Sequence, residues 1–188
     1  MPLIFSGLEE NAWEEVRRGL GRLAPQLPLA AEYEVSIQLP LYVSQVDRSG
    51  FSSLERAGKV RQEGWRHVVY QGGEGRVLLD LDLGKKMARR IEGRSAERFA
   101  NALAALGPLM GSEGVASQVT YEIRVLDLPE VNAEALWLCR VPRSPSEDWF
   151  VAISNSVDFQ SLGSDAVRAA QFEPAFRAAG TRVASFAT

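Results

Sequence analysis

The chain is poor in reactive side chains. It has one cysteine, Cys139, and one histidine, His67, among 188 residues. A lone cysteine excludes an intrachain disulfide framework and a zinc site built from several thiolates. Lysine is scarce as well: apart from Lys59, Lys85 and Lys86, every one of the 21 basic residues is arginine. No apolar run approaches the roughly 20 residues that a membrane-spanning helix needs. The opening Met-Pro-Leu-Ile-Phe-Ser has neither a basic region nor a long apolar core, so no signal peptide and a cytoplasmic location are expected. No Ser/His/Asp arrangement and no nucleotide loop stands out. Gly72-Gly73-Glu74-Gly75 leads into a strand pattern, whereas phosphate binding wants a helix N-terminus.

What is present is ordinary for a globular chain, at 46% hydrophobic and 24% charged residues, which argues against disorder. A net charge of -3 offers no global reason to expect nucleic acid or an acidic membrane as partner.

Periodicity says more. From Tyr33 to Val43, the odd-numbered residues Tyr33, Val35, Ile37, Leu39, Leu41 and Val43 fall on one strand face, and Glu34, Ser36 and Gln38 fall on the other. This predicts an antiparallel strand with one wet face. Further strands are expected at 65–70, 76–83, 119–125, 135–141 and 149–154, with a short helical turn near Leu54. Ser6 and Glu9 form a capping box before a helix carrying Trp13, Val16, Leu20 and Leu23. A second helix runs from Met87 to Leu106, with Gly93 as a point where it breaks or kinks, and a third covers about 160–179. Pro174 argues against the second half of that third helix, and residues 181–188 are expected to be loosely held. The prediction is one α+β domain over 1–188, with a largely antiparallel sheet and about three helices.

Two stretches also look alike. Glu14, Val16, Leu20, Leu23 and Pro25 match Glu97, Phe99, Leu103, Leu106 and Pro108 at one constant offset. After a loop that is longer in the second copy, Tyr33-Glu34-Val35 recurs as Tyr121-Glu122-Ile123, and Leu39-Pro40 as Leu128-Pro129. The expectation is two helix-plus-three-strand repeats, about 6–83 and 94–154, related by a pseudo-twofold axis that closes a shared core.

Three places carry candidate chemistry. Asp80 and Asp82 lie at i and i+2 on one strand face, with Cα atoms about 6.6 Å apart, near enough for one divalent cation to bridge. Leu-Asp-Leu-Asp-Leu-Gly before an expected helix resembles the Asp-x-Asp metal motif of archaeo-eukaryotic primase-type polymerases, including the polymerase domain of bacterial end-joining ligases. The resemblance implies Mg or Mn on Asp80 and Asp82 and phosphoryl or nucleotidyl transfer. Those enzymes also need a third carboxylate and a histidine-bearing nucleotide motif. Here the only histidine lies upstream of the pair, and Leu83 stands where the ligase version has proline.

Lys85, Lys86, Arg89, Arg90, Arg94 and Arg98 come next, and an unbroken helix would align positions 86, 90, 94 and 98 as a basic stripe able to grip phosphates. Finally, Tyr42, Tyr70 and Phe150 form a patch for a partner or apolar ligand if helices cover only one sheet face. His67 and Cys139 each share a strand face with tryptophan and read as interior residues. The function expected from this set is a non-enzymatic binding or assembly module without a cofactor, taking a protein partner or a second copy of itself. A metal-dependent transferase and a nucleic-acid-binding protein are the alternatives.

Overall fold

The computed structural model describes residues 3–4, 33–71, 75–83, 88–108, 119–153 and 156–186. A two-residue strand, β1 (Leu3–Ile4), comes first. The other strands form two meanders. One is β2 (Tyr33–Val43), β3 (Arg61–Gln71), β4 (Gly75–Asp82) and β5 (Ala88–Ile91). The other is β6 (Thr120–Leu128), β7 (Ala133–Val141), β8 (Trp149–Ala152) and β9 (Val167–Arg168). All belong to one sheet, ordered β5-β4-β3-β2-β6-β7-β8-β9. The meanders meet where β2 and β6 run parallel, Leu41–Val43 against Val125–Asp127. The start of β6 also takes β1, with Leu3 opposite Tyr121. Three helices among the described residues complete an α+β fold: α1 (Phe51–Arg56), α2 (Arg94–Ala104) and α3 (Ala169–Phe186).

Strand alternation sorts the apolar residues into two cores. Leu39, Leu41, Val68, Leu78, Ile123, Val125, Leu136 and Leu138 share one face, against which Ala96, Phe99 and Ala102 of α2 pack. The opposite face carries Leu126, Leu128, Ala135, Trp137, Cys139 and Phe150 under α1 and α3. Phe51 of α1 stands at the centre of that second core. It is edge-on to Trp137, Phe150, Phe172 and Phe176 with centroids 5.3 to 5.9 Å away, the geometry that ring quadrupoles favour. The first turn of α1 is capped from α3: the Glu173 carboxylate accepts from the backbone N–H of Phe51 at 3.1 Å and of Ser52 at 2.7 Å.

Four expectations are corrected. The face expected to be wet is covered at the described positions: Gln38 and Asp80 are only 7% and 5% exposed, because layers pack against both sides of the sheet. The helix expected from Met87 to Leu106 is two elements. Ala88–Ile91 pairs with β4, Arg89 opposite Asp80, and Gly93 turns the chain into α2 at φ 61°. The basic row is cut as a result. Arg90 belongs to β5, Arg94 and Arg98 belong to α2, and Lys85 and Lys86 lie outside the described residues. The last helix begins at Ala169, while Gln160–Leu162 is a single 3-10 turn.

That last helix then continues past Pro174 to Phe186. Pro174 gives up one backbone hydrogen bond early in the helix. Burial of Phe172, Phe176 and Ala179 offsets the loss. Of the segment expected to be loose, residues 181–186 continue this helix, and Arg182 pairs with Asp158 at 2.6 Å. The helix expected after Ser6, and with it the first half of the proposed helix match, lies outside the described residues. Among the described residues no helix is long and apolar enough to cross a membrane.

Candidate functional site

Asp80 is where the sequence points first. Its cross-strand partner on β3 is Arg66, which has no exposed surface. The Arg66 Nε and Nη2 donate to the two Asp80 oxygens at 2.6 and 2.8 Å. Its Nη1 and Nη2 also donate to the two Glu134 oxygens, each at 2.9 Å. The guanidinium carbon lies 5.3 Å from the centre of the Phe99 ring. Arg66 therefore ties β3 and β4 in one meander to β7 in the other. Burial alone would lower the Arg66 pKa, but the hydrogen bonds to Asp80 and Glu134 outweigh it and raise it. The side chain is a permanent cation.

This arrangement bears directly on the Asp-x-Asp pair. Both Asp80 oxygens already face a guanidinium, and a divalent cation placed on them would meet that charge at hydrogen-bond range. Asp82 is half-buried and has interactions of its own. Among the described residues no group of three or more His, Cys, Asp and Glu side chains is placed to hold a metal ion.

A cleft opens beside the Arg66 knot. On β6 the alternation Tyr121, Ile123, Val125 continues inward to Asp127, and on β7 the sequence Leu138, Leu136 continues to Glu134. Asp127 and Glu134 are paired across the hairpin, a like-charge placement that costs stability unless a cation intervenes. Glu134 has Arg66. Among the described residues Asp127 pairs only with Arg89, at 3.4 Å from a side chain 59% exposed, a contact worth about 0–1 kcal/mol. Burial raises the Asp127 pKa, the nearby Glu134 raises it further, and Arg89 and Arg66 counter this in part.

The cleft has a volume of about 360 Å³. Arg89, Ile91, Ser95 and Arg98 from β5 and α2 form one wall, and Asp127, Pro129, Asn132 and Glu134 from the hairpin form the other. Asn132 holds the turn in the left-handed region at φ 48°, a conformation asparagine tolerates. Arg98 and Ile153 also line a second cleft of about 300 Å³, which continues past Asn101 toward Ser164. Among the described residues no carboxylate pairs with Arg98.

The remaining expected sites are placed as follows. Arg89 and Arg98 meet at the cleft, whereas Arg94 is exposed at the first residue of α2. Phe150 is 1% exposed and stacked on Phe172 at 4.0 Å. Tyr42 is half-buried, edge-on to Trp137 at 5.4 Å, with the Arg124 guanidinium 4.6 Å from its ring centre. Tyr42 and Phe150 therefore form no surface patch, because α1 and α3 cover this face. The Tyr70 side chain lies outside the described residues.

His67 is buried with Nδ1 3.3 Å from the Leu79 carbonyl, and burial lowers its pKa. Burial also pushes the Cys139 thiol up to about 11, far from a nucleophile's range.

Sequence reasoning missed Arg66, Asp127, Glu134 and a fourth residue, Asp148. Asp148 is buried and accepts from Trp137 Nε1 at 2.7 Å, the Arg140 backbone N–H at 3.0 Å and Arg143 at 2.7 Å. Burial raises its pKa against these hydrogen bonds. The available signal was parity: Asp127 sits on the inward side of an otherwise apolar alternation. Comparison with protein-family models, curated proteins and solved structures finds no match for the chain.

Proposed function

We propose that the chain is a non-enzymatic binding module whose ligand sits in the cleft between α2 and the β6–β7 turn. The observation that carries this reading is the division of charge around the cleft. Arg66, Asp80 and Glu134 satisfy one another in the interior, and groups locked in this way offer no free acid, base or nucleophile. The groups left over, Asp127 and Arg98, line the open space instead. The volume falls in the usual range for small-molecule sites, about 300–1,000 Å³ with a few convergent polar groups.

The two meanders, each followed by a helix, read as copies of one ancestral unit: β2–β5 with α2, and β6–β9 with α3. Support comes from the parallel join of β2 and β6 and from helices on opposite faces, which a twofold axis along the strands would generate. The unit is then strands first and helix last.

Amide NMR of the full chain, titrated with small neutral, cationic, anionic and zwitterionic probes, tests the site. Perturbed amides are expected to cluster at 95–98 and 127–134. Perturbations confined to other surfaces, or none for any probe, would remove the cleft from consideration.

A further inference from the structure

We propose that the cleft takes a zwitterionic small molecule, its ammonium or guanidinium group on Asp127 and its carboxylate on Arg98. The proposal rests on the cleft being the binding site. The two walls carry opposite unmet demands. On the hairpin wall, Asp127 stands opposite Glu134, and both Glu134 oxygens are already held by Arg66. Arg89 reaches Asp127 only at 3.4 Å and Glu134 at 3.8 Å, from a largely exposed side chain. A compact cation entering the cleft would answer Asp127 at close range where Arg89 answers it at long range.

On the α2 wall the demand is reversed. Arg98 has no carboxylate partner among the described residues, and Ser95, one turn earlier, lines the same space. A guanidinium presents a planar fork that matches a carboxylate with two parallel hydrogen bonds. A purely anionic ligand would satisfy Arg98 but press against Asp127 and Glu134. A purely cationic one would leave Arg98 unanswered. One molecule carrying both charges meets both walls. Because Arg98 also borders the second cleft, its carboxylate end has room to extend along α2.

Titration calorimetry on the full chain tests this with 6-aminohexanoate, hexanoate and hexylamine, alongside shorter and longer ω-amino acids. The zwitterion is expected to bind on the order of tenfold more tightly than either single-charge analogue, with an optimum chain length. Asp127→Asn should remove the advantage over hexanoate, and Arg98→Gln the advantage over hexylamine. Equal affinity for all three probes in the unaltered chain would overturn the proposal. If the NMR perturbations still cluster at the cleft, the binding-site reading survives that result; if they are absent there, both fall.

Discussion

At Asp127 a single carboxylate carries a cost that the rest of the hairpin does not relieve. Burial, then the neighbouring Glu134, raises its pKa in the folded chain; Arg89 and Arg66 oppose this, and Asp80 adds to it. The native state therefore holds the proton to a higher pH than the unfolded chain, whose aspartates titrate near about 3.9. The stabilising contribution is fully present below that value and is lost as pH rises through the folded pKa. Asp127→Asn does not titrate. Its stability relative to the unaltered chain is expected to improve between about pH 3 and pH 7, read from urea unfolding at each pH. A difference that shrinks over that range would contradict the burial argument.

How much of this was legible from residues alone follows from the same physics. The inward parity of Asp127 was readable from the alternation ending at Val125. Its partner was not, because pairing with Glu134 depends on hairpin register, and register depends on a turn containing a left-handed Asn132. Asp80 reads in the sequence as one half of a cation-binding pair. Nothing local in Leu-Asp-Leu-Asp announces that Arg66, 14 residues away, will fill its hydrogen bonds. Phe150 was placed on the wrong side of exposure for a related reason. A strand's own sequence does not say which of its faces a later helix will cover.

At the scale of elements, long strands with clean alternation were the readable part. β2 occupies the range its period marks, and β4, β6, β7 and β8 fall close to theirs. The short β5 was not readable: Met87 and Ile91 stand four apart, as on a helix, and the four residues of β5 become a strand only because β4 offers an edge. The last helix shows tertiary packing overriding local preference, since it passes through Pro174 on the strength of its buried phenylalanines.

Helix α3 also makes a close approach that its sequence marks with glycine. A Cβ at Gly180 would run into the backbone of Asp47 in the loop after β2. That loop leads to Gly50, at φ 91°, and into α1, whose cap is Glu173 of the same helix. Gly180→Ala should therefore cost stability, by about 1–3 kcal/mol as an overpacked contact, even though alanine has the higher helix propensity. Thermal or urea unfolding checks the sign; a more stable variant would mean that the helix and loop are not held at this distance.

At the scale of the molecule, two four-stranded meanders share one sheet through a parallel contact three residues long. So short a join would leave two separable halves if nothing else crossed it. Two things do. The core under α2 draws Leu39, Val68 and Leu78 from one meander and Ile123, Leu136 and Leu138 from the other, so neither half completes it alone. Arg66 crosses the same seam, and separating the halves would strand its charge or that of Glu134. Breaking a buried pair by removing one partner costs about 3–5 kcal/mol, and parting the meanders would add exposure of the shared apolar surface.

The chain is therefore expected to unfold in one transition despite its bipartite topology. Residue-resolved amide NMR along a urea series checks this. Native signals from β4 and from β8 should fade with a common midpoint. Separate midpoints for the two strands would show that each meander is stable without the other, and would leave the Arg66–Glu134 contact as a late embellishment across a domain boundary.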